Sequence, residues 1–201
     1  VFDASGQRTV FIPAAIADFR DSWKGFRLSR DGLSVRFGFE PWGKISARFN
    51  FAERRYEAST SDAGLLMPRL EAKGIDIKDW ISSTNPTLNG QELGLDNAER
   101  SRSLAIAPDE QSFVLGSEWS LRRFDRVGRE LWKKEVFGTV WAVNISADGR
   151  LVVSAHADGT IRWHRLSDGE ELVAFFPHVD RKRWVAWTPS GYSTPAPAGR
   201  T

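Results

Sequence analysis

The sequence contains no cysteine, which excludes disulfide frameworks and metal sites with thiolate ligands. It has no apolar run long enough for a transmembrane helix and no signal peptide. Nucleophile elbows and glycine-rich phosphate loops are also missing. What remains is a chain of 201 residues with 13 Phe, 9 Trp and 17 Gly. Segments that favour helix are few, so this composition predicts a mostly β domain with an aromatic core.

The formal net charge is only +2, which is low for a nucleic-acid-binding protein. Two short basic clusters do occur, Leu121–Phe124 and Arg181–Trp184. Solvated strand faces explain these clusters equally well. Because the chain starts at Val1 rather than Met, we expect it to come from inside a longer protein. The compartment therefore stays unknown, with a soluble, cytoplasmic location favoured.

Three short alternating segments between residues 146 and 172 are separated by the turns Asp158-Gly159 and Asp168-Gly169. Asp-Gly between alternating segments is a strong hairpin signal, because type I′ turns need positive φ at both central residues. The segment therefore predicts an antiparallel meander.

The same pattern recurs along the chain at a spacing near 40 residues. Asp109 lies 39 residues before Asp148, and Asp31 lies 78 residues before Asp109. Each of these aspartates follows an apolar segment and precedes alternating strands. A four-stranded unit with a period near 40 is typical of a β-propeller blade.

The predicted fold is therefore an all-β partial propeller of about three to five four-stranded antiparallel blades, with one long irregular insertion. The 1–201 region divides into the end of a preceding blade at 1–13, a blade at 26–59, an insertion or degenerate blade at 60–101, blades at 102–137 and 138–177, and the start of a further blade with a tail at 183–201. An incomplete ring would expose apolar sheet. We therefore expect either a composite blade made from Arg8 to Ile12 and Arg183 to Trp187, or two chains that complete the propeller together.

The segment "VWAVNISADGRLVVSAHADGTIRWHRLSDGEEL" resembles a blade of the WD-repeat family over its whole length. The stretches "DSWKGFRLSRDGLSVRFGFEPWGK" and "LNGQELGLDNAERSRSLAIAPDEQSFVLGSEWSLRRFDRVGRELW" are similar to bacterial WD-repeat proteins that often carry a caspase-like peptidase domain. The resemblance implies a scaffold or sensor propeller attached to an effector domain. It also implies a tetrad in which Ser154, Asp158 and Trp163 hold a blade together, with the loop His missing and His164 in place of the usual Asp.

These residues are expected to be structural before anything else. Trp163 should lie between neighbouring blades, Asp158 should accept backbone N–H groups in its turn, and Ser154 should link the two. The turn aspartates Asp31, Asp109 and Asp148 are assigned the same structural role.

Catalysis is not expected. His156 and His164 flank one hairpin and could approach each other, but no third ligand is spaced for a metal site, so we predict neither metal nor cofactor. The scattered carboxylates fit solvated surface, and the peptidase dyad of the related multidomain proteins has no counterpart. The chain alone is predicted not to be an enzyme.

The function predicted is a non-catalytic protein–protein interaction module whose partner is another protein or another domain of the same full-length chain. Contact residues should lie on loops. The candidates are Trp42 in an exposed turn, Trp80 in the insertion and Trp119 in the turn equivalent to that of Trp42. Packing at blade edges would explain the same tryptophans. Two alternatives stay open: recognition of a small molecule or glycan by surface aromatics, and weak nucleic-acid binding through the basic clusters. No membrane partner is expected.

Overall fold

The computed structural model describes residues 16–191 and the backbone of 193–195. The predictions for 1–13 and for the strand Arg8 to Ile12 lie outside these residues. Besides strands, the described part of the chain contains two short 3-10 turns, Ser22–Lys24 and Pro41–Gly43. None of its helices is long and apolar enough to cross a membrane.

Three consecutive antiparallel meanders form the blades. The strands of the first blade are β1 (Arg27–Ser29), β2 (Ser34–Glu40), β3 (Lys44–Asn50) and β4 (Arg55–Ala58). After it come β5 (Leu65–Leu66) and the short strands β6 (Ile77–Lys78), β7 (Thr87–Leu88) and β8 (Gln91–Glu92). The second blade contains β9 (Ser101–Ile106), β10 (Ser112–Ser117), β11 (Ser120–Asp125) and β12 (Glu130–Glu135). The third contains β13 (Val140–Ile145), β14 (Leu151–His156), β15 (Ile161–Arg165) and β16 (Glu171–Pro177), followed by β17 (Trp184–Trp187) and β18 (Ser193–Pro195).

Within each blade the strands pair in chain order, which is the strand order of a propeller blade. The predicted turns carry left-handed glycines, with φ of 69° at Gly149, 80° at Gly159 and 71° at Gly169. A side chain at these positions would strain the backbone, so glycine makes the short connections feasible. The prediction of an all-β partial propeller with a long irregular insertion is confirmed.

The insertion is less regular than a blade. Its strand β5 pairs with β1 and so belongs to the sheet of the first blade, while β6, β7 and β8 form a separate three-stranded sheet. That small sheet packs its apolar side chains, including Ile77 and Leu88, against the second blade.

The third blade lies between the other two. One face packs on the second blade through Val152 and Leu166. The opposite face packs on the first blade, where the rings of Phe49 and Phe175 stack at a centroid distance of 4.0 Å. Burying apolar side chains on both faces of one sheet is the layer packing that stabilises a propeller.

The segment 183–201 does not begin a separate blade within the described residues. β17 pairs with β16 in the register Ala174↔Trp187, and β18 pairs with β17. Both strands therefore extend the sheet of the third blade to six strands. The further blade predicted at 183–201, part of which lies outside the described residues, stays a prediction. Trp184 is buried in the core shared with the first blade, which gives the reason for the pairing.

Candidate functional site: the aromatic end of the blades

The antiparallel order of the strands puts the turns at two opposite ends of the blades. Turns between the second and third strands, and connections from one blade to the next, lie together at one end. Three large aromatic side chains are exposed there: Trp42 (67%), Trp119 (47%) and Phe137 (92%). We call this the aromatic end. Two of these three residues, Trp42 and Trp119, were predicted as partner contacts.

Trp42 lies on a turn that is fixed to the body of the protein. Its backbone N–H donates to Arg20 O at 2.8 Å. The backbone of Gly43 occupies the space that a Cβ on Gly38 would need, with a closest distance of 2.2 Å. Only glycine at position 38 permits this close approach of the two chain segments. The turn is therefore held rigidly while its tryptophan points into solvent.

Backbone strain is stored in this turn and at the start of β3. Trp42 has φ 64° and Ile45 has φ 51°, both in the left-handed region. Ile45 is β-branched and is 49% exposed, so packing of its side chain does not explain the conformation. Lys44 lies between the two residues in sequence, with its ammonium 5.4 Å from the Trp42 ring centroid. Strained backbone that presents apolar side chains to solvent is characteristic of functional sites.

Trp119 lies on a turn that is fixed by a buried carboxylate. Glu99 is 0% exposed and accepts hydrogen bonds from Ser117 and Ser120, which flank the turn. It also forms an ion pair with Arg122, which is itself buried. Burial would raise the pKa of Glu99, but the two hydroxyl groups and the charge of Arg122 outweigh it and hold the pKa below its usual range. Glu99 is thus an ionised anchor beneath Trp119.

The third blade repeats this arrangement with a different acid. Thr160 and Arg162 lie 40 residues after Ser120 and Arg122. Arg162 bonds Thr160 Oγ1 at 2.9 Å and Asp158 at 2.7 Å. Asp158 also accepts the backbone N–H of Thr160 at 2.9 Å. The role in the turn that was suggested for Asp158 is therefore compatible with its contacts.

Trp80 was predicted to contact a partner, but the structure buries its side chain. It is only 9% exposed and packs edge-on against Trp23 at a centroid distance of 5.1 Å. It belongs to the core between the insertion and the second blade, with Leu93 and Phe124 among its members. A partner could not reach this side chain in the folded protein, so Trp80 is removed from the candidate contacts.

The tetrad implied by the family resemblance does not form. Ser154 Oγ is 2.8 Å from His156 Nε2 and does not link Asp158 to Trp163. Trp163 Nε1 donates to Gly32 O in the first blade at 2.8 Å. The predicted position of Trp163 between blades agrees with this contact. The role suggested for Ser154 is corrected, because its hydroxyl forms a hydrogen bond with His156, two residues away on the same strand.

Asp31, Asp109 and Asp148 lie at the opposite end of the blades, in turns between the first and second strands. Each accepts the backbone N–H of the residue two positions ahead, at 3.0, 3.0 and 3.1 Å respectively. Asp125 and Asp168, in turns between the third and fourth strands, accept the same kind of bond at 3.0 Å. We call this the Asp-turn end. Its carboxylates are used locally, to stabilise turns.

The two buried histidines lie close together, with ring centroids 6.3 Å apart. Burial lowers the pKa of His164 to about 4, and it lowers the pKa of His156 as well. Both rings are therefore neutral at pH 7. His164 Nδ1 faces Gly169 O at 3.4 Å, and its Nε2 is buried with no partner in the described structure. Across the described ranges, no group of three or more His, Asp or Glu residues could hold a metal ion.

The first basic cluster is not available to phosphates. Arg122 is buried in ion pairs with Glu99 and Glu130. Arg123 is engaged by Ser112 Oγ and by Leu166 O at 3.0 Å. Nucleic-acid binding through this cluster is therefore not supported.

Sequence reasoning missed two residues of the aromatic end, Glu99 and Phe137. Glu99 lies outside the repeat, so a comparison of blades could not find it. The repeated Ser/Thr-x-Arg pattern at 120–122 and 160–162 was a usable signal, because a buried arginine requires carboxylates nearby. Phe137, in the connection between two blades, carried no signal beyond being apolar.

No protein-family model matches the sequence, and no curated protein matches it. Solved structures to which this chain is similar include the RRP9 WD40 repeats, with 14% identity and a TM-score of 0.40, covering 52% of this chain and 40% of that one. U3-55K has the same identity and TM-score, with 52% and 41% covered. The Cps50 (Swd1) β-propeller domain of Myceliophteria thermophila has 9% identity and a TM-score of 0.43, with 85% and 72% covered. The chain spans about 40% of the length of the first two. The blades of this chain are defined by its own strand order and pairing.

Proposed function

We propose that this chain is a non-catalytic interaction module that binds another protein through the turn that carries Trp42. The observation that carries the proposal is an exposed tryptophan on strained, rigidly held backbone. Such an anchor loses little conformational freedom when it is buried by a partner, and tryptophan is the residue type most enriched at interface hot spots. Trp119 and Phe137 lie at the same end of the blades and extend the contact surface.

The charge near Trp42 indicates the kind of partner. Lys24 and Lys44 are exposed and positive at this end. Arg20 is positive too but is already paired with Asp18 at 2.6 Å. Asp21 and Glu40 are exposed and negative at the same end, so the complementary surface is an apolar pocket with a rim of mixed charge.

The wider context follows the family resemblance and is part of the proposal. We infer that the module belongs to a larger bacterial protein, in which it serves as scaffold or sensor for an effector such as a caspase-like peptidase domain. Purification of the full-length gene product would support this inference if the product carries an effector domain. A full-length product without such a domain would oppose it.

Substitution of Trp42 tests the binding proposal. Trp42→Ala should lower the affinity for a captured partner by at least tenfold, while the melting temperature stays the same. The matched control is Val127→Ala, because Val127 is 72% exposed at the Asp-turn end. Equal loss of binding in both variants, or in neither, would contradict the proposal.

A further inference from the structure

The outer strands of the second and third blades occupy equivalent positions but differ in their pairing. Residues 133–136 of the second blade correspond to 174–177 of the third, 41 residues later. In the third blade these residues pair with β17, in the register Ala174↔Trp187 to Pro177↔Trp184. In the second blade β12 pairs with β11, and among the described strands nothing pairs with its outer edge. Within the described residues, one blade therefore carries an added strand at an edge that the other leaves free.

The direction of the free backbone groups follows from one hydrogen bond. Val136 N–H donates inward to Trp119 O at 2.9 Å. Backbone N–H and C=O groups alternate in direction along a strand. Those of Lys134 therefore also point toward β11, whereas those of Lys133 and Glu135 point outward. These outward groups are the ones that an added antiparallel strand would use.

A cleft adjoins this edge. It has a volume of about 410 Å³ and is lined by Trp119, Val136 and Phe137 together with Asp96 and Lys133. Phe137 also borders a second cleft of about 380 Å³ on the side of the third blade. Cross-strand neighbours have their side chains on the same face of a sheet. The face that carries Lys134 and Val136 is turned toward Gly169 of the third blade, so an aromatic side chain placed opposite Val136 would lie against the second cleft.

The charge of the edge selects the occupant. Where the third blade has Ala174 and Phe175, the second has Lys133 and Lys134. Lys133 already contacts Asp96. Lys134 shares the second cleft with Glu170 and Glu171, but these two carboxylates pair with Arg165 and Arg162, so Lys134 is the residue left to meet a partner strand. Lysines on an edge disfavour pairing with another strand unless that strand carries acidic residues.

We propose that the outer edge of the second blade binds an extended segment of a partner protein as an added antiparallel strand. An aromatic residue of that segment lies opposite Val136, and an acidic residue lies opposite Lys134. This site rests on the proposed protein-binding function, but it lies on a different surface from the Trp42 turn. Main-chain hydrogen bonds would supply affinity, and the two side chains would supply specificity.

The test uses two blocked peptides whose sequences derive from β17, Gly-Trp-Val-Glu-Trp-Thr and Gly-Trp-Val-Lys-Trp-Thr, titrated into the ¹⁵N-labelled chain and followed by NMR. We expect amide shifts at Lys133 and Glu135 and at least tenfold weaker binding of the lysine peptide. Lys134→Glu should reverse this preference, and the control Lys73→Glu should leave it unchanged. The proposal is overturned if millimolar peptide gives no shifts, if the shifts lie elsewhere, or if the preference does not reverse in Lys134→Glu. Trp42→Ala should not alter the shifts, which separates this site from the proposed function.

Discussion

The two ends of the blades use their side chains in opposite ways. At the Asp-turn end, the carboxylates of five turns accept backbone N–H groups two residues ahead, so each is engaged by its own turn. At the aromatic end only Asp158, in the third blade, is used in this way. There Trp42 and Trp119 remain exposed on turns that other groups hold in place, and Phe137 is exposed in the connection between two blades. Groups satisfied by their own turn serve the fold, whereas apolar groups held rigidly in solvent are available to a partner. The comparison therefore separates structural turns from candidate contacts.

The largest effect expected at the aromatic end comes from removing the anchor beneath Trp119. Glu99→Ala leaves Arg122 with the more exposed carboxylates of Asp96 and Glu130. Breaking a buried pair by removing one partner costs about 3–5 kcal/mol, and these remaining pairs place the expected loss near the lower end, at about 3 kcal/mol. Chemical denaturation should show this loss in the free energy of unfolding. Glu99→Gln keeps the shape and should lose less. A loss below about 1 kcal/mol for Glu99→Ala would show that the network is not important for stability.

The Asp-turn end should respond more weakly. Asp148→Ala removes the acceptor for the N–H of Arg150, which is exposed, and for the hydroxyl of Ser146, which is buried. By analogy with helix caps, such a loss costs about 0.5–2 kcal/mol. Thermal unfolding measures it, and partner binding should be unchanged. Reduced partner binding by a folded Asp148→Ala protein would break the distinction between the two ends.

Acid should destabilise the protein through the buried histidines. The folded pKa of His164, about 4, lies below the unfolded value of 6.5, so the unfolded state binds more protons between these pH values. The contribution of this group is fully present above pH 6.5 and declines as the pH falls toward about 4. His164→Phe, which introduces the residue found 40 positions earlier at Phe124, should flatten the pH dependence in this window. An unchanged slope of unfolding free energy between pH 6.5 and 4.5 would contradict the assignment.

The smallest effect on stability is expected at Trp42. Because the ring is exposed, Trp42→Ala should change the free energy of unfolding by less than about 0.5 kcal/mol. Trp80→Ala removes a buried aromatic and should cost about 3–5 kcal/mol. Parallel denaturation of the two variants makes the comparison. Similar losses in both would mean that Trp42 also packs against the fold.

Local patterns predicted much of this fold, because blades are built from local contacts. Asp158-Gly159 and Asp168-Gly169 indicated turns that the structure contains, with glycine in the left-handed region. Contacts between residues far apart in the chain were harder to predict from sequence. The pairing of β17 with β16 depends on burial of Trp184 against the first blade, and the burial of Trp80 depends on Trp23, more than 50 residues away. Exposure of an aromatic residue is a tertiary property, so Trp42 and Trp80 looked alike in sequence.

Site-specific photo-crosslinking tests the central claim most directly, namely that a protein partner binds the aromatic end. A photoreactive phenylalanine analogue would replace Trp42 in one protein and Val127 in another, each in the full-length chain in its own cells. We predict a discrete crosslinked protein from position 42 and none from position 127. Crosslinking from position 127 alone, or from neither position, would contradict the account.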